Sequence, residues 1–388
     1  MATMRRARNS RAERAGGVAA ALCVAAALCL ACSPVHAQTP DCSAPAPVCA
    51  ARESVFAISA FDPLGSAVRI GADTLVTVRH VVADEAEVTV LLEDGTRRLA
   101  RIVPTDLPGD LVLLHVDGLP PGPVAASDDA QAGEAVFTVG ADASRRTIVA
   151  YDPGRVTALP AEGFARARLY STAYSQPGNS GGALVDAEGR LVGIVASGGE
   201  GRFEAIPAAM IDALKTRSGP GFAQASSETG AATRICILKL DEARANLRGL
   251  ADKDVTAIQT SCRRSANRQN LDLAAQALGQ SGHIAKSVAL YEEALALDPN
   301  AVNTRLGLAV SLHIAGRFED EAEHLRKLMK VAGEDAQVLR LAIQAGIWGG
   351  DRALAEQAYE VLERSNPQMA PAAKRFLDNP PPRPKPRQ

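Results

Sequence analysis

The sequence predicts a multidomain chain in which an all-β domain is followed by an all-α domain. Between Val55 and Leu214, short apolar runs rich in β-branched residues alternate with Gly, Pro and Asp, a pattern typical of a β-barrel or sandwich. Beyond Arg234 the apolar residues follow helical spacing, and similar positions recur at a fixed period. The chain has 388 residues, 47% of them hydrophobic and 22% charged, which is enough for two domains that each bury a core.

Composition and motifs exclude several classes of partner. The formal net charge is −2 and aromatic residues make up 4% of the chain, so neither a basic surface nor a set of stacking rings favours nucleic acid. The sequence contains no HExxH, no EF-hand loop and no GxxxxGK[ST] motif. We therefore expect no nucleic-acid partner, no metal and no cofactor.

The N-terminus has the pattern of an export signal. Arginines up to Arg14 precede an apolar run from Val18 to Leu30, and Pro34 and the cleavage-site pattern Val35–Ala37 follow it. The run is shorter than the roughly 20 residues that a membrane-spanning helix needs. We predict a signal peptide over residues 1–37, cleavage after Ala37, and a periplasmic or secreted protein without a stable membrane span. An uncleaved anchor is the alternative, and a lipid anchor at Cys32 is less favoured.

Four cysteines follow the predicted signal peptide. An even number of cysteines in an exported chain indicates two disulfides, although the sequence alone permits three pairings. Cys42 and Cys49 flank a short segment and could close a local loop, which leaves Cys236 and Cys262 to join a second segment.

One serine has the setting of a nucleophile. Ser180 lies in the segment Pro177–Val185 with Gly178 before it and Gly181 after it, so reagents can approach it on a tight turn. The backbone N–H groups of Gly178 and Ser180 are the expected donors of an oxyanion hole. An ordinary glycine-rich turn remains the alternative.

A serine hydroxyl needs a base, and the β domain contains two histidines. His80 follows the apolar strand Leu75–Val78, at a strand-to-loop junction suited to a general base. His115 lies inside an apolar run and is expected to be a strand residue. Of the others, His36 belongs to the predicted signal, and three fall in the helical region: His283, His313 and His324.

A carboxylate is expected to orient the base. Asp110 opens the buried strand Leu111–Leu114, where a charge is costly unless it has a partner. Three other aspartates lie in turn-like contexts and are expected to be solvated: Asp106, Asp117 and Asp128. The order His80, Asp110, Ser180 is that of chymotrypsin-fold enzymes, whereas subtilisin-like enzymes and α/β-hydrolases use other orders.

Several blocks of residues 53–214 resemble trypsin-like peptidases of the HtrA/Do-like type. In order along the chain these are Gly65–Ala67, Val78–Val82, Gly109–Leu114, Gly133–Gly140, Gly154–Leu159, Pro177–Gly182 and Ala205–Pro207. The resemblance implies two six-stranded β-barrels with the triad between them, and cleavage of peptide bonds in proteins. It also implies that the strand at Val195, Ala196 and Ser197 pairs with the substrate backbone and that Tyr174 lines the primary specificity pocket. Arg79 before the histidine and Thr172 upstream of the serine depart from the usual pattern.

The helical region resembles the tetratricopeptide repeat. Gly282, Gly316 and Gly350 lie 34 residues apart, and small or apolar residues recur at Ala275 and Ala309. The repeats cover residues 268–370, although an ordinary helical bundle is the alternative. The rest of the chain is predicted to form an N-terminal segment over 38–52, a linker over 215–233, a helical segment over 234–267 and a disordered Pro-rich tail over 371–388.

The sequence as a whole predicts an exported serine endopeptidase that acts on a protein or peptide substrate. The helical repeats would bind the substrate or a partner protein. One alternative is a catalytically silent protease-like scaffold, and another is an esterase or acyl transferase that uses the same triad.

Overall fold

The structure, a computed structural model, describes residues 42–144, 147–199, 201–246 and 250–385. The predicted signal peptide, Cys32 and residues 38–41 lie outside the described residues. Two β-barrels are followed by a region of helices, so the predicted fold class is confirmed. Among the described residues, no helix is long and apolar enough to cross a membrane.

The first barrel is closed by six antiparallel strands. A short helix, α1 (Ala46–Ala51), precedes it, and a one-turn helix, α2 (Arg79–Val82), follows its third strand. Around the barrel the strand order is β1-β2-β3-β6-β5-β4, with β4 pairing back onto β1. The strands are β1 (Val55–Ser59), β2 (Gly65–Arg69), β3 (Thr74–Val78), β4 (Glu87–Leu91), β5 (Arg97–Val103) and β6 (Leu111–Val116).

The second barrel contains seven strands, six of which close the ring. They run in the order β7-β11-β12-β13-β10-β9 and back to β7, and β8 adds to the end of β7. The strands are β7 (Ala135–Asp142), β8 (Thr147–Ala150), β9 (Gly154–Ala158), β10 (Leu169–Ser171), β11 (Ala183–Val185), β12 (Leu191–Gly199) and β13 (Arg202–Pro207). A helix, α3 (Met210–Thr216), ends this part of the chain.

The helical region begins directly after the barrels and consists of antiparallel hairpins. Its helices are α4 (Ala223–Ala245), α5 (Asp252–Arg264), α6 (Arg268–Gln280), α7 (Ile284–Leu297), α8 (Val302–Ile314), α9 (Phe318–Val331), α10 (Ala336–Trp348), α11 (Arg352–Ser365) and α12 (Ala370–Asp378). Gly282, Gly316 and Gly350 each end the first helix of a hairpin with a positive φ, of 91°, 69° and 81°. The period read from the sequence therefore corresponds to one turn geometry used three times.

The segment predicted as a linker differs from the expectation. Helix α4 begins at Ala223 and covers the second half of residues 215–233. Small residues let this helix approach the first barrel closely: a Cβ at Gly230 would lie 2.7 Å from the carbonyl oxygen of Ala83. The same Ser, Gly and Ala residues that suggest flexibility in a sequence serve here as a packing face, because tertiary contact overrides weak helix propensity.

The predicted tail is also partly ordered. Helix α12 occupies its first residues, and the Trp348 indole N–H donates to the Pro381 carbonyl at 3.1 Å. Arg383 lies over the Phe318 ring and pairs with Glu319 at 2.7 Å. Aromatic and charged surface on the last hairpins thus holds the tail through Lys385, the last described residue.

Both disulfides favoured by the local spacing are present. Cys42 pairs with Cys49 before the first barrel, and Cys236 pairs with Cys262, which joins α4 to α5. The second bridge is fully buried in the core of the first helical hairpin.

Candidate active site

His80 and Asp110 are brought together by the pairing of two strands. Val78 at the end of β3 pairs with Leu111 at the start of β6, so the residues just beyond this pair also meet. The Arg79 N–H donates to the Asp110 carbonyl at 2.6 Å, and the His80 N–H donates to Asp110 Oδ1 at 3.0 Å. Sheet register therefore fixes the backbone of both residues before their side chains interact.

The two side chains form a direct hydrogen bond. His80 Nδ1 lies 2.8 Å from Asp110 Oδ2, with the imidazole 14% exposed and the carboxylate 0% exposed. Burial raises the pKa of Asp110, but His80 and then the Arg168 cation outweigh it, and the pKa lies below its ordinary value. The carboxylate is thus held ionised where it can accept the Nδ1–H of the ring, leaving Nε2 as the basic nitrogen.

The Ser180 loop converges on the same place. A Cβ at Gly65 would lie 2.6 Å from Val81 Cγ1, next to His80, and 3.4 Å from the Ser180 carbonyl oxygen. Ser180 Oγ donates to the Ala196 carbonyl at 3.5 Å, and within the described residues no hydrogen bond joins it to His80. The structure therefore places Ser180 beside the helix that carries His80, with its hydroxyl turned toward β12.

The backbone around Ser180 needs glycine. Gly178 and Gly181 have φ values of 100° and 85°, in the left-handed region. A Cβ at Gly181 would also lie 2.1 Å from the Ser66 carbonyl oxygen. As far as the structure describes the chain, neither the Gly178 nor the Ser180 N–H donates to a protein acceptor. Two unused donors on a tight loop can serve an oxyanion.

Ser66 holds this loop in place, which the sequence did not indicate. Its N–H donates to the Ser180 carbonyl at 2.8 Å, and its hydroxyl donates to the Gly178 carbonyl at 2.7 Å. The same hydroxyl accepts from the Ala141 N–H at 2.8 Å. Ser66 is fully buried in β2, so one side chain joins the first barrel, the second barrel and the serine loop.

Asn179 fixes the loop from the other side. Its amide donates to the Ala141 carbonyl at 3.0 Å and its Oδ1 accepts from the Gln176 N–H at 2.8 Å. The side chain is fully buried, and its two hydrogen bonds shape the turn that carries Ser180.

The residues predicted to contact substrate lie on β12 or against the ring of Phe203 on β13. Tyr174 is 49% exposed, and its ring centroid lies 5.9 Å from that of Phe203 on β13. Val195 and Ala196 are buried in β12, whereas the Ser197 hydroxyl donates to Glu204 at 3.3 Å. Glu204 is a charged residue between the apolar residues Phe203 and Ala205 of β13, a signal in the sequence that predicts a buried partner.

The other predicted residues lie elsewhere. His115 is on β6, and its Nε2 lies 3.0 Å from Asp117 at the surface. Asp106 pairs with Arg217 at 2.9 Å and Asp128 with Arg190 at 2.6 Å, in partly exposed positions. Among the described residues, no group of three His, Cys, Asp or Glu side chains is arranged to hold a metal ion.

Part of the barrel region is similar to known proteins. Residues 65–194 match the profile of the trypsin-like peptidase domain. A protein named probable periplasmic serine endoprotease DegP-like, from Ectopseudomonas mendocina, is 36% identical over 138 residues, which are 34% of this chain and 28% of that protein. A probable serine protease do-like from Buchnera aphidicola is 33% identical over 143 residues, covering 34% of this chain and 30% of the relative.

The solved structure of the serine endoprotease from Yersinia pestis matches with a TM-score of 0.39 and 26% identity, over 44% of this chain and 64% of that one. The chain spans less than a third of the length of the two curated relatives above. The matched profile ends before the helical region begins.

Proposed function

We propose that this chain is a serine endopeptidase that hydrolyses peptide bonds in proteins. The observation that carries the proposal is the buried His80–Asp110 pair, joined at 2.8 Å beside the glycine-flanked Ser180 loop. The family match of the barrels, and the names of the relatives that share them, support the same reaction.

In the proposed reaction, Asp110 accepts the Nδ1–H of His80 and leaves Nε2 free to take the hydroxyl proton of Ser180. The freed oxygen attacks the substrate carbonyl carbon, and the C=O electron pair moves to oxygen. His80 then gives its proton to the leaving amine as the C–N bond breaks, and a water molecule releases the acyl group by the same steps. The hydroxyl must turn from the Ala196 carbonyl toward His80, a rotation about one side-chain bond.

The Gly178 and Ser180 N–H groups are the proposed oxyanion donors. They carry no protein hydrogen bond within the described residues, so none has to be broken before they bind the developing charge. A donor of this kind contributes about 10²–10³ in turnover.

An extended substrate is proposed to pair with β12. Residues Ser197–Gly199 pair with β13 along one edge, and no described strand pairs with the opposite edge beyond Ile194. Strand addition would place the scissile bond beside Ser180 and a side chain beside Tyr174.

The remaining proposals concern setting and partners. Export to the periplasm or beyond rests on the signal pattern of residues 1–37, and it agrees with the name of the periplasmic relative. The hairpins over 268–370 are proposed to be tetratricopeptide-like repeats that bind a protein substrate or partner, supported by the shared turn geometry at Gly282, Gly316 and Gly350.

The proposal is tested by labelling with a fluorophosphonate and by casein cleavage. Wild type should be labelled at Ser180, and Ser180→Ala should lose both label and activity, by about 10⁶ in turnover. His80→Ala should lose labelling, whereas His115→Ala, the matched control in the same barrel, should keep it. An unlabelled wild-type protein favours the scaffold alternative, and cleavage of small esters without casein favours the esterase.

A further inference from the structure

Two buried arginines flank Asp110. Arg79 and Arg168 are 3% and 4% exposed, respectively. Arg168 Nη2 lies 3.9 Å from Asp110 Oδ2, and the Arg79 N–H donates to the Asp110 carbonyl. The fully buried Asp110 carboxylate is thus surrounded by His80 and two arginine cations. The sequence identified the histidine as its partner but neither of the arginines.

The helical region anchors both arginines. The Arg168 N–H donates to Asp298 Oδ2 at 3.0 Å, and its Nη2 donates to Asn267 Oδ1 at 3.4 Å. Asp298 lies in the turn between α7 and α8, and Asn267 is the residue just before α6. On the other side, Arg79 Nη2 donates to the Ser226 hydroxyl of α4 at 3.3 Å.

The same interface contains further buried charges. Arg268 at the start of α6 pairs with Glu204 of β13 and with Asp272, and its Nε lies 3.8 Å from Asp298. The Tyr170 hydroxyl of β10 also donates to Asp298. Because these groups are shielded from water, breaking one pair leaves an uncompensated charge, so the barrels and the helices fix each other's position.

Hydrogen bonds alone do not explain how the buried Arg168 cation interacts with Asp110. Its Nη1 is buried without a hydrogen-bond partner in the described part of the chain, and its Nη2 is too far from Asp110 for a hydrogen bond. At 3.9 Å in a buried site the charge–charge attraction is strong all the same. The cation therefore acts on Asp110 through its field.

We propose that Arg168 is a positioning residue for the triad and that the helical region sets its place, since Asp298 holds its backbone N–H and Asn267 holds its cation beside Asp110. The inference rests on the proposed peptidase function and deepens it. The helical region then completes the active site of the barrels, in addition to any partner that it binds.

The charges around Arg168 determine the expected pH effect. It faces Asp110 from the residue just before β6, Glu204 from β13, Tyr170 from β10, Arg268 from α6 and Asp298 from the α7–α8 turn. Burial lowers the pKa of Arg168, and Asp110 opposes this. Removing the cation takes away a group that favours the ionised Asp110 carboxylate, so the pKa of Asp110 should rise and the pair should lose its working form at a higher pH.

The experiment uses the full chain and a peptide substrate. Arg168→Met should lower kcat by about 10- to 100-fold with little change in KM, and should move the acid limb of the pH profile up by about one unit. Arg168→Lys keeps the charge and should recover part of both effects.

A second variant reaches Arg168 from the helical side. Asn267 also caps α6, accepting from the Gln269 N–H at 3.0 Å. Asn267→Ser keeps a good cap but is too short to reach Arg168, so it should shift the pH profile in the same direction by a smaller amount. The matched control is Asp335→Asn, which removes a charge pair with Arg202 at the same interface while keeping the cap of α10.

The outcomes separate the two proposals. The inference is overturned if Arg168→Met has the same kcat and pH profile as wild type. If Arg168→Met does not fold, the same result for Asn267→Ser overturns it. So does an equal shift in Asp335→Asn, because the effect would then reflect general loosening of the interface. A wild-type protein without activity or serine labelling overturns the proposed function instead.

Discussion

Removing the Ser66 hydroxyl tests how the serine loop is held. Ser66→Ala deletes one oxygen that donates to the Gly178 carbonyl at 2.7 Å and accepts from the Ala141 N–H at 2.8 Å. Both groups are buried, and no water can reach them without opening the interface between the barrels. The backbone bond from the Ser66 N–H to Ser180 remains in the variant.

The expected magnitude follows from the two groups left without partners. An unsatisfied buried donor or acceptor costs about 1–3 kcal/mol, so the free energy of unfolding should fall by about 2–5 kcal/mol. The Gly178 carbonyl also loses its anchor, which loosens an oxyanion donor. Since the donor is displaced rather than deleted, kcat should fall by about tenfold, less than the 10²–10³ of a deleted donor.

The assay combines urea unfolding with turnover per labelled serine, which separates stability from catalysis. The control is Ser54→Ala, because Ser54 is also buried, at 4% exposure, and its hydroxyl donates to the Ala51 carbonyl at 2.8 Å, away from the serine loop. It should lose about 1 kcal/mol of stability and keep its kcat. An unchanged kcat in Ser66→Ala, with the stability loss present, would refute the idea that this hydroxyl positions the oxyanion loop.

Three further predictions concern other parts of the molecule. Burial raises the pKa of Glu321 to about 7 even though His313 opposes this, so the wild type should lose stability as the pH rises from 4.5 through this value. The expected loss in the free energy of unfolding is about 3 kcal/mol between pH ~5 and ~8, and Glu321→Gln should remove it. Unfolding curves recorded across this pH range measure the loss, and an equally steep decline in the variant would contradict the reasoning. Replacing Cys236 and Cys262 with Ser should lower the free energy of unfolding by about 3.5 kcal/mol, given a sequence separation of 26. The measurement is urea unfolding of the variant and of oxidised and reduced wild type, and the variant should match the reduced protein. Gly181→Ala should cost about 2–5 kcal/mol through strain and contact with Ser66, whereas Gly95→Ala, at φ 82° in open space, should cost only about 1 kcal/mol.

Local sequence signals predicted most of the architecture. Short β-branched runs and the 34-residue period reflect which side chains face a core, and burial within one element follows from its own sequence. The pairing of Cys42 with Cys49 is local in the same sense. The candidate triad was chosen on residue type, order and neighbouring strands, and the β3–β6 register then supplied a geometry for two of its members.

The linker and tail show where local signals fail. Residues 223–233 have the composition of a flexible linker, yet they form the start of helix α4, and Gly230 lets that helix pack closely against Ala83. The Pro-rich tail is held by Trp348 and Arg383, through contacts between residues more than thirty positions apart. Neither outcome could be read from composition, because the partner surface is formed elsewhere in the chain.

The sequence by itself determined the two kinds of domain, the disulfide partners favoured by spacing, and a histidine, an aspartate and a serine in a meaningful order. Only the tertiary structure decided that Arg168 faces Asp110 and that Asn267 and Asp298 hold it there. The physical reason is that the burial pattern of an element follows from neighbouring residues. The energy of a buried ion pair and of the contacts that hold it depends instead on distances between groups about 60 to 130 positions apart, which are set by how two folded domains dock.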